Sequence, residues 1–216
     1  MAQGVGMAAF GRPDRADPAS RVLDHAIRAG AEGKHITSSR GEEFHSMDHG
    51  SIDWRKVLDS TNWLINSSDI VLEGDSPRSA WAAAMTFAEL EGSKTVMVVS
   101  SPSDPSLMQQ SWGAVVSKIR QIHVMFIDSE AICAISEIEG VDQDGLLGEI
   151  RLKGMVPIVC TYDPITGMVR VEHSTGSVKG GVARGLSPAE WLSGFLCRLP
   201  ETGPGEEGIK RATAAE

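Results

Sequence analysis

The chain has 216 residues, with 20 Lys and Arg against 29 Asp and Glu, and its formal net charge is -9. Its composition, 41% hydrophobic and 23% charged, is that of a folded globular protein and excludes a disordered or fibrous chain. The negative charge excludes nucleic acid and an anionic membrane surface as partners held by bulk electrostatics.

Two compositional features indicate the compartment. No apolar run approaches the ~20 residues that a membrane-spanning helix needs, and the N-terminus lacks the pattern of a secretory signal. The three cysteines, Cys133, Cys160 and Cys197, match neither a disulfide framework nor a zinc-ligand spacing. We therefore expect a cytoplasmic protein without a membrane partner.

The first part of the chain predicts mainly helix and loop. Asp17 and Pro18 are typical of a helix N-cap followed by proline at the first helical position, and Gly30 is a suitable end for that helix. Residues 31–50 are polar, rich in glycine and histidine and without periodicity, so they predict a loop. Ser51 is a suitable cap for a short helix whose apolar face is Trp54, Val57 and Leu58.

From residue 63 onward, predicted strands alternate with predicted helices. The strands are the apolar runs at 63–65, 95–99, 123–127 and 156–160, and a fifth at 168–171 pairs with the fourth across a turn. Such alternation gives a parallel sheet covered by helices on both faces, and ligands in these sheets bind beyond the carboxyl ends of the strands. After a last helix over 188–199, the tail 201–216 is polar and predicted to be disordered.

Several motifs resemble those of the PfkB, or ribokinase-like, carbohydrate kinases, and most closely the 2-keto-3-deoxygluconate kinases. The carrying residues are Gly50–Trp54 followed by Trp63–Ile70, then Phe126–Ala131, Val159–Thr161 and Ser193–Leu196. The resemblance implies a ribokinase-like three-layer α/β core with a mostly parallel sheet, in one domain over residues 1–200. The chain is short for that family, which implies that the lid strands are largely missing.

The family's catalytic positions are poorly matched. Its Gly-Ala-Gly-Asp signature, which holds an anion and supplies the catalytic base, falls on Leu186–Ala189, so that Ala189 replaces the base. Pro188 replaces a glycine and has no N–H to offer an anion. An alignment with one insertion offers Glu190 as a substitute base. The resemblance also implies Thr161 and Gly185 as nucleotide-binding positions.

The metal and substrate motifs also differ. The family's Asn-x-x-Glu motif falls on Asp128 and Ala131, so one of its two metal-site positions has no carboxylate. Asp128 or Glu130 can in principle hold hydrated Mg²⁺, but a helix N-cap and a helix-dipole partner are the more ordinary roles for them. Asp69 and Asp104 place negative charge where an anionic sugar acid needs positive charge.

These observations leave two main functional hypotheses. The first is a kinase homologue that has lost phosphotransfer, a pseudokinase without a cofactor, which binds a small sugar ligand or a partner. That partner is a second copy of the chain or an intact kinase paralogue. The alternative is a weak ATP-dependent kinase of a sugar or a sugar acid such as 2-keto-3-deoxygluconate. It would use ATP and Mg²⁺, Glu190 as base and Asp128 or Glu130 at the metal. A purely structural interaction domain remains a third possibility.

Overall fold

The computed structural model describes residues 4–37, 43–181 and 184–214. Its centre is an eight-stranded sheet with the order β2-β1-β3-β4-β5-β6-β7-β8. Neighbouring strands are parallel from β2 across to β6, whereas β7 pairs antiparallel with both β6 and β8. The strands are β1 (Gly6–Phe10), β2 (Glu32–Ile36), β3 (Trp63–Ser67), β4 (Lys94–Val99), β5 (Val124–Ile127), β6 (Ile158–Asp163), β7 (Met168–His173) and β8 (Gly176–Gly181).

Helices cover both faces of the sheet. They are α1 (Pro18–Arg28), α2 (Trp54–Leu58), α3 (Asp75–Glu91), α4 (Met108–Ser117), α5 (Ser129–Glu139), α6 (Leu146–Gly154), α7 (Pro188–Thr202) and α8 (Glu206–Thr213). Helices α2 to α6 bury their apolar side chains against one face, called here the first face, and α1, α7 and α8 against the second face. The predicted three-layer α/β core with a mostly parallel sheet is therefore confirmed.

Side chains of each buried strand alternate between these two cores. In β5, Met125 and Ile127 belong to the first core, whereas Val124 and Phe126 belong to the second. Phe126 packs there against Trp191 of α7, with ring centroids 5.8 Å apart. Strands with apolar residues on both faces are typical of parallel sheets with two helical layers.

None of the helices formed by the described residues is long and apolar enough to cross a membrane.

Strands β3 to β7 lie where the sequence predicts them, and the remaining three strands differ. Strands β1, β2 and β8 were not predicted, and β2 lies within the predicted loop of residues 31–50. β1 contains Gly and two Ala, and β2 and β8 are polar edge strands, so their residues lack the apolar β-branched pattern. In the region of the predicted missing lid, the described residues 43–50 form short 3₁₀ turns and no strand, whereas residues 38–42 lie outside the described part.

The predicted disorder of the tail was wrong for most of its length. Residues 206–213 form α8, which packs on α7 with Ile209 and Ala212 fully buried. The Arg198 guanidinium of α7 donates two hydrogen bonds to the carbonyl of Ala212, at 3.0 and 2.8 Å. Two apolar residues at helical spacing were enough to dock this polar segment, because α7 and β8 supply the surface that covers them.

Candidate functional site

The carboxyl ends of β1 and β3 are joined by an ion-pair network. Arg12 follows β1, and its guanidinium contacts Asp69 Oδ2 at 2.8 Å and Glu73 Oε1 at 3.0 Å. Burial raises the pKa of the Asp69 carboxyl, while the Ser67 hydroxyl and the Arg12 charge oppose that rise. Arg12 is thus shared by two carboxylates, Asp69 and Glu73, so it does not cancel the negative charge at this edge. The expectation that Asp69 places negative charge where an anionic substrate needs positive charge stays a prediction.

The same network is anchored by a buried carboxylate. Asp17, the N-cap of α1, accepts hydrogen bonds from Arg12 N at 2.8 Å, Ser20 N at 2.9 Å and Ser20 Oγ at 2.7 Å. Gly11 leaves room for this contact, since a Cβ there would lie 2.3 Å from Ser20 Oγ. The Ser20 hydroxyl also contacts His35 Nε2 at 2.8 Å. Together Arg12, Asp17, Ser20, Asp69 and Glu73 form what we call the Arg12 network.

A cavity lies further along the same edge, beyond the carboxyl ends of β4 and β5. It has a volume of about 300 Å³ and is bounded by α1 and by the first turn of α7. Its wall includes an acidic side chain, a basic side chain, an imidazole and a hydroxyl. These are Asp128, Arg21, His25 and Ser100, with Pro188 and Ala189 of α7 beside them. We call this space the Asp128 cavity.

Asp128 is the carboxylate of this cavity, and it occupies the N-cap position of α5. The backbone N–H of Glu130 stabilises its charged form, but burial is the stronger influence and raises the pKa of the Asp128 carboxyl. A half-buried carboxyl with a raised pKa, next to the start of a helix, is suited to accept or share a proton with a hydroxylated ligand. Asp128 thus holds the N-cap position without a side-chain capping hydrogen bond to α5, and it forms part of the cavity wall.

Glu190, the proposed substitute base, has a structural role at the start of α7. Ser187 Oγ accepts a hydrogen bond from Glu190 N at 3.1 Å, and Glu190 Oε2 accepts one from Ser187 N at 3.4 Å, which forms a capping box. The Glu190 side chain is exposed and is absent from the cavity wall, whereas Ala189 is part of that wall. The first turn of α7 thus presents no carboxylate to the Asp128 cavity.

The two positions expected to bind nucleotide do not lie with Asp128. In β6, Cys160 belongs to the second core, so the next residue, Thr161, points toward the first face. Asp128 lies two positions after Phe126 and, like Phe126, points toward the second face. Thr161 lines an open cleft of about 500 Å³ with Arg170 and Lys179, and its buried hydroxyl has no hydrogen-bond partner among the described residues. The same cleft contains Asp163 and the Asp144–Arg170 ion pair, so its charges are mixed.

Gly185 lies in the exposed segment before α7 with φ +86°, and it lines neither the cleft of Thr161 nor the Asp128 cavity. Asp104 is exposed and accepts hydrogen bonds from Ser106 N and Oγ, so it caps a 3₁₀ turn away from the cavity. Gly185 thus provides a left-handed backbone position before α7, and Asp104 caps a 3₁₀ turn.

The donor set for a metal ion is small. Glu130 is exposed in the first turn of α5, and the described ranges contain no group of three His, Cys, Asp or Glu side chains that could hold a metal ion. Asp128 would therefore need water and ligand phosphates to complete an octahedral Mg²⁺ shell, an arrangement that Mg²⁺ accepts. Asp128 thus offers one carboxylate to Mg²⁺, while Thr161, the expected nucleotide position, lies on the other face of the sheet.

Three residues of this edge were not singled out from the sequence. Arg12 follows β1, which the sequence pattern does not predict, so no predicted strand end points to this position. Arg21 and His25 lie one helical turn apart on α1. Their spacing places both on one side of the helix, but only the docking of α1 beside α7 shows that this side lines a cavity.

Comparison with known proteins identifies the fold. No family model and no curated protein matches the sequence, but solved structures do match: the chain has the ribokinase-like α/β fold of the PfkB carbohydrate kinases. A 2-dehydro-3-deoxygluconokinase from Thermotoga maritima superposes with a TM-score of 0.75 at 10% identity, covering 98% of this chain and 91% of that one.

Two further structures support the same fold. A PfkB protein from Polaromonas sp. JS666 gives a TM-score of 0.71 at 12% identity, over 97% of this chain and 93% of that one. A fructokinase from Xylella fastidiosa with bound ATP gives a TM-score of 0.65 at 11% identity, over 98% of this chain and 75% of that one. At these identities the similarity establishes the fold, and the site has to be argued from its own residues.

Proposed function

We propose that this protein is a carbohydrate-kinase-like protein that binds a small hydroxylated ligand in the Asp128 cavity and does not phosphorylate it. The observation that carries the proposal is the first turn of α7, which presents Pro188 and Ala189 to the cavity. Phosphoryl transfer to a hydroxyl depends on a positioned carboxylate and on donors that hold the phosphates. Ala189 has no carboxylate and Pro188 has no N–H.

The chemistry of the cavity favours a sugar or a sugar acid as the ligand. Asp128 and Ser100 can accept hydrogen bonds from hydroxyl groups, and the Arg21 guanidinium can pair with a carboxylate. Phe126 and Leu192 form an apolar part of the wall, which suits the carbon face of a sugar. A volume of about 300 Å³ is at the lower end of small-molecule sites and matches a monosaccharide.

The second candidate is a weak ATP-dependent kinase of a sugar or sugar acid, with ATP and Mg²⁺ as cofactors. It is favoured by the raised pKa of Asp128, which is a property of general bases, and by the position of Asp128 facing α7. In this reading Asp128 acts on the substrate hydroxyl or holds the nucleotide's Mg²⁺. Glu190 is less suited, because its carboxylate belongs to the capping box.

One experiment separates the two candidates. The purified protein is titrated calorimetrically with 2-keto-3-deoxygluconate, fructose and ribose, and ADP release is measured in parallel with ATP and Mg²⁺. We expect binding of at least one sugar or sugar acid that weakens about tenfold in Arg21→Met or Asp128→Asn, the loss of one charge-assisted hydrogen bond. Arg28→Met, on the same helix but outside the cavity wall, is the matched control and should bind as the parent does.

Two results would contradict the proposed function. ADP release that disappears in Asp128→Asn establishes the kinase candidate and overturns the loss of phosphotransfer. Absence of binding for all three ligands at millimolar concentration overturns the assignment of the cavity to sugars.

The proposal extends to a protein partner, which is a second copy of the chain or an intact kinase paralogue, in the cytoplasm. Leu152 and Met155, at the end of α6, are 63% and 69% exposed and offer apolar surface for such a contact. Light scattering on the protein and on Leu152→Lys tests self-association. A monomer at all concentrations contradicts the homodimer.

A further inference from the structure

A second cavity lies at the opposite end of the sheet, where the strands begin. It has a volume of about 380 Å³ and is enclosed by the amino ends of β3 to β6 and by the last turn of α7. Its wall combines Lys94, His123, Trp63 and Asn62 with apolar residues. We call it the amino-edge cavity. Since β4 and β5 run between the two sites, it is separated from the Asp128 cavity by the length of these strands.

The polar groups of the amino-edge cavity are almost all donors. His123 Nδ1 accepts the hydrogen bond of Thr95 N at 3.2 Å, which places the proton of a neutral ring on Nε2. Asn62 Oδ1 accepts from Gly6 N at 2.8 Å, so the amide N–H groups of Asn62 are the part left to a ligand. Lys94 adds an ammonium, 5.5 Å from the centroid of the Trp63 ring.

Trp63 contributes its indole ring to the wall. The residue is only 3% exposed, and its indole N–H is buried without a hydrogen-bond partner among the described residues. Since this N–H is shielded, a ligand in the cavity would contact the indole ring. The nearby carboxylate of Glu89 accepts a hydrogen bond from Gln121 Nε2 at 3.1 Å.

The other side of the amino-edge cavity is apolar. Ile158 and Val124 line it from the sheet, and Leu199, Pro200 and Pro204 line it from the end of α7. The carbonyl of Leu199, which would otherwise disfavour an anion at a helix C-terminus, accepts the N–H of Gly203 at 2.9 Å. The cavity therefore has a cationic, donor-rich end and an apolar end.

We propose that the amino-edge cavity binds a small organic anion with an apolar body, of the arylalkyl carboxylate class. The carboxylate is held by Lys94 and the His123 Nε2–H, and the apolar body packs on Trp63, Ile158 and Leu199. Burial, and then the Lys94 charge, lower the pKa of His123, while the Gln121 carbonyl and the Glu89 charge oppose that shift. The cation at this site is Lys94, on a chain whose net charge is -9.

Phenylacetate and its neutral isostere phenylacetamide are the probes for the test. Binding is followed by the indole N–H signals in ¹⁵N-correlated NMR spectra, where Trp63→Phe identifies the Trp63 signal by its loss. We expect phenylacetate to shift the Trp63 signal and to saturate at millimolar concentration. Phenylacetamide should bind at least about fivefold more weakly, which is the order of one charge-assisted hydrogen bond at a partly open site.

Variants show which groups recognise the charge. Lys94→Met keeps the aliphatic stem and should weaken phenylacetate binding about fivefold while leaving phenylacetamide unchanged. Lys179→Met removes a lysine from the cleft of Thr161, at the other end of the sheet, and is the charge-matched control. Arg21→Met should leave phenylacetate binding intact, which separates this site from the proposed sugar site.

Two results overturn the proposal. Equal affinity of phenylacetate and phenylacetamide, or an unchanged affinity in Lys94→Met, contradicts recognition of an anion. An unshifted Trp63 signal with both probes at millimolar concentration contradicts the site itself.

Discussion

The Arg12 network and the Asp128 cavity lie on the same edge of one sheet, and each is built around a buried or half-buried aspartate. In the network, the carboxylates of Asp17 and Asp69 are held by N–H groups and by the Arg12 guanidinium. At the cavity, Asp128, Arg21 and His25 face a common space of about 300 Å³. The first arrangement uses its polar groups to hold the protein together, whereas the second keeps them available for a ligand.

Among the variants that test this contrast, Asp17→Ala should lower the free energy of unfolding most. Asp17→Ala removes the acceptor of three hydrogen bonds in a fully buried place and leaves two backbone N–H groups without a partner. We expect the free energy of unfolding to fall by about 3 kcal/mol, as measured by urea denaturation. Asp14→Ala, which alters an exposed turn of the same loop, is the control and should change stability little.

Arg12 should have the next largest effect. Arg12→Met leaves the carboxylates of Asp69 and Glu73 without their cation, and we expect a loss of about 2 kcal/mol in unfolding free energy. The double variant Arg12→Met/Asp69→Leu should recover part of that loss, because only the partly exposed Glu73 carboxylate is then left without its cation. Additive losses in the double variant would contradict a charge-compensating role for this pair.

Glu190 tests whether the start of α7 is structural. Glu190→Ala breaks one half of the capping box and should cost about 0.5–1 kcal/mol of unfolding free energy, whereas Glu190→Gln should keep the cap and the stability. Ligand binding in the Asp128 cavity should be the same in both variants. A specific loss of ligand turnover in Glu190→Gln would instead restore Glu190 as a base.

Replacing Asp128 should change the free energy of unfolding least, and at neutral pH it should raise that free energy. Its folded-state pKa is raised, so the folded protein is favoured when the carboxyl is protonated. This contribution is lost as pH rises from the ordinary aspartate range through the raised folded-state pKa. Asp128→Asn should therefore be more stable than the parent at about pH 7 and gain less at about pH 4. Urea denaturation at both values measures this, and a destabilised variant at neutral pH would mean that Asp128 belongs to a structural network.

The central part of the fold was predictable from the sequence because its strands carry their own signal. Lys94–Val99 and Val124–Ile127 are apolar on both faces, and the turn before Met168 has the residues that a hairpin needs. The edge strands carry no such signal, since Glu32–Ile36 and Gly176–Gly181 are polar and become strands by pairing with neighbours. Arg12 was missed because it follows β1, an inner strand whose Gly, Met and Ala residues lack a β-branched pattern.

By itself, the sequence determined the α/β alternation, the helix that begins at Pro188 and the chemistry of its first turn, because these depend on local propensity and on residue type. Only the tertiary structure decided which charges meet. Asp69 is paired with Arg12, 57 positions away in the sequence, and Asp128 and Thr161 lie on opposite faces of the sheet. Both outcomes depend on how distant segments are placed in three dimensions, which no short stretch of residues specifies.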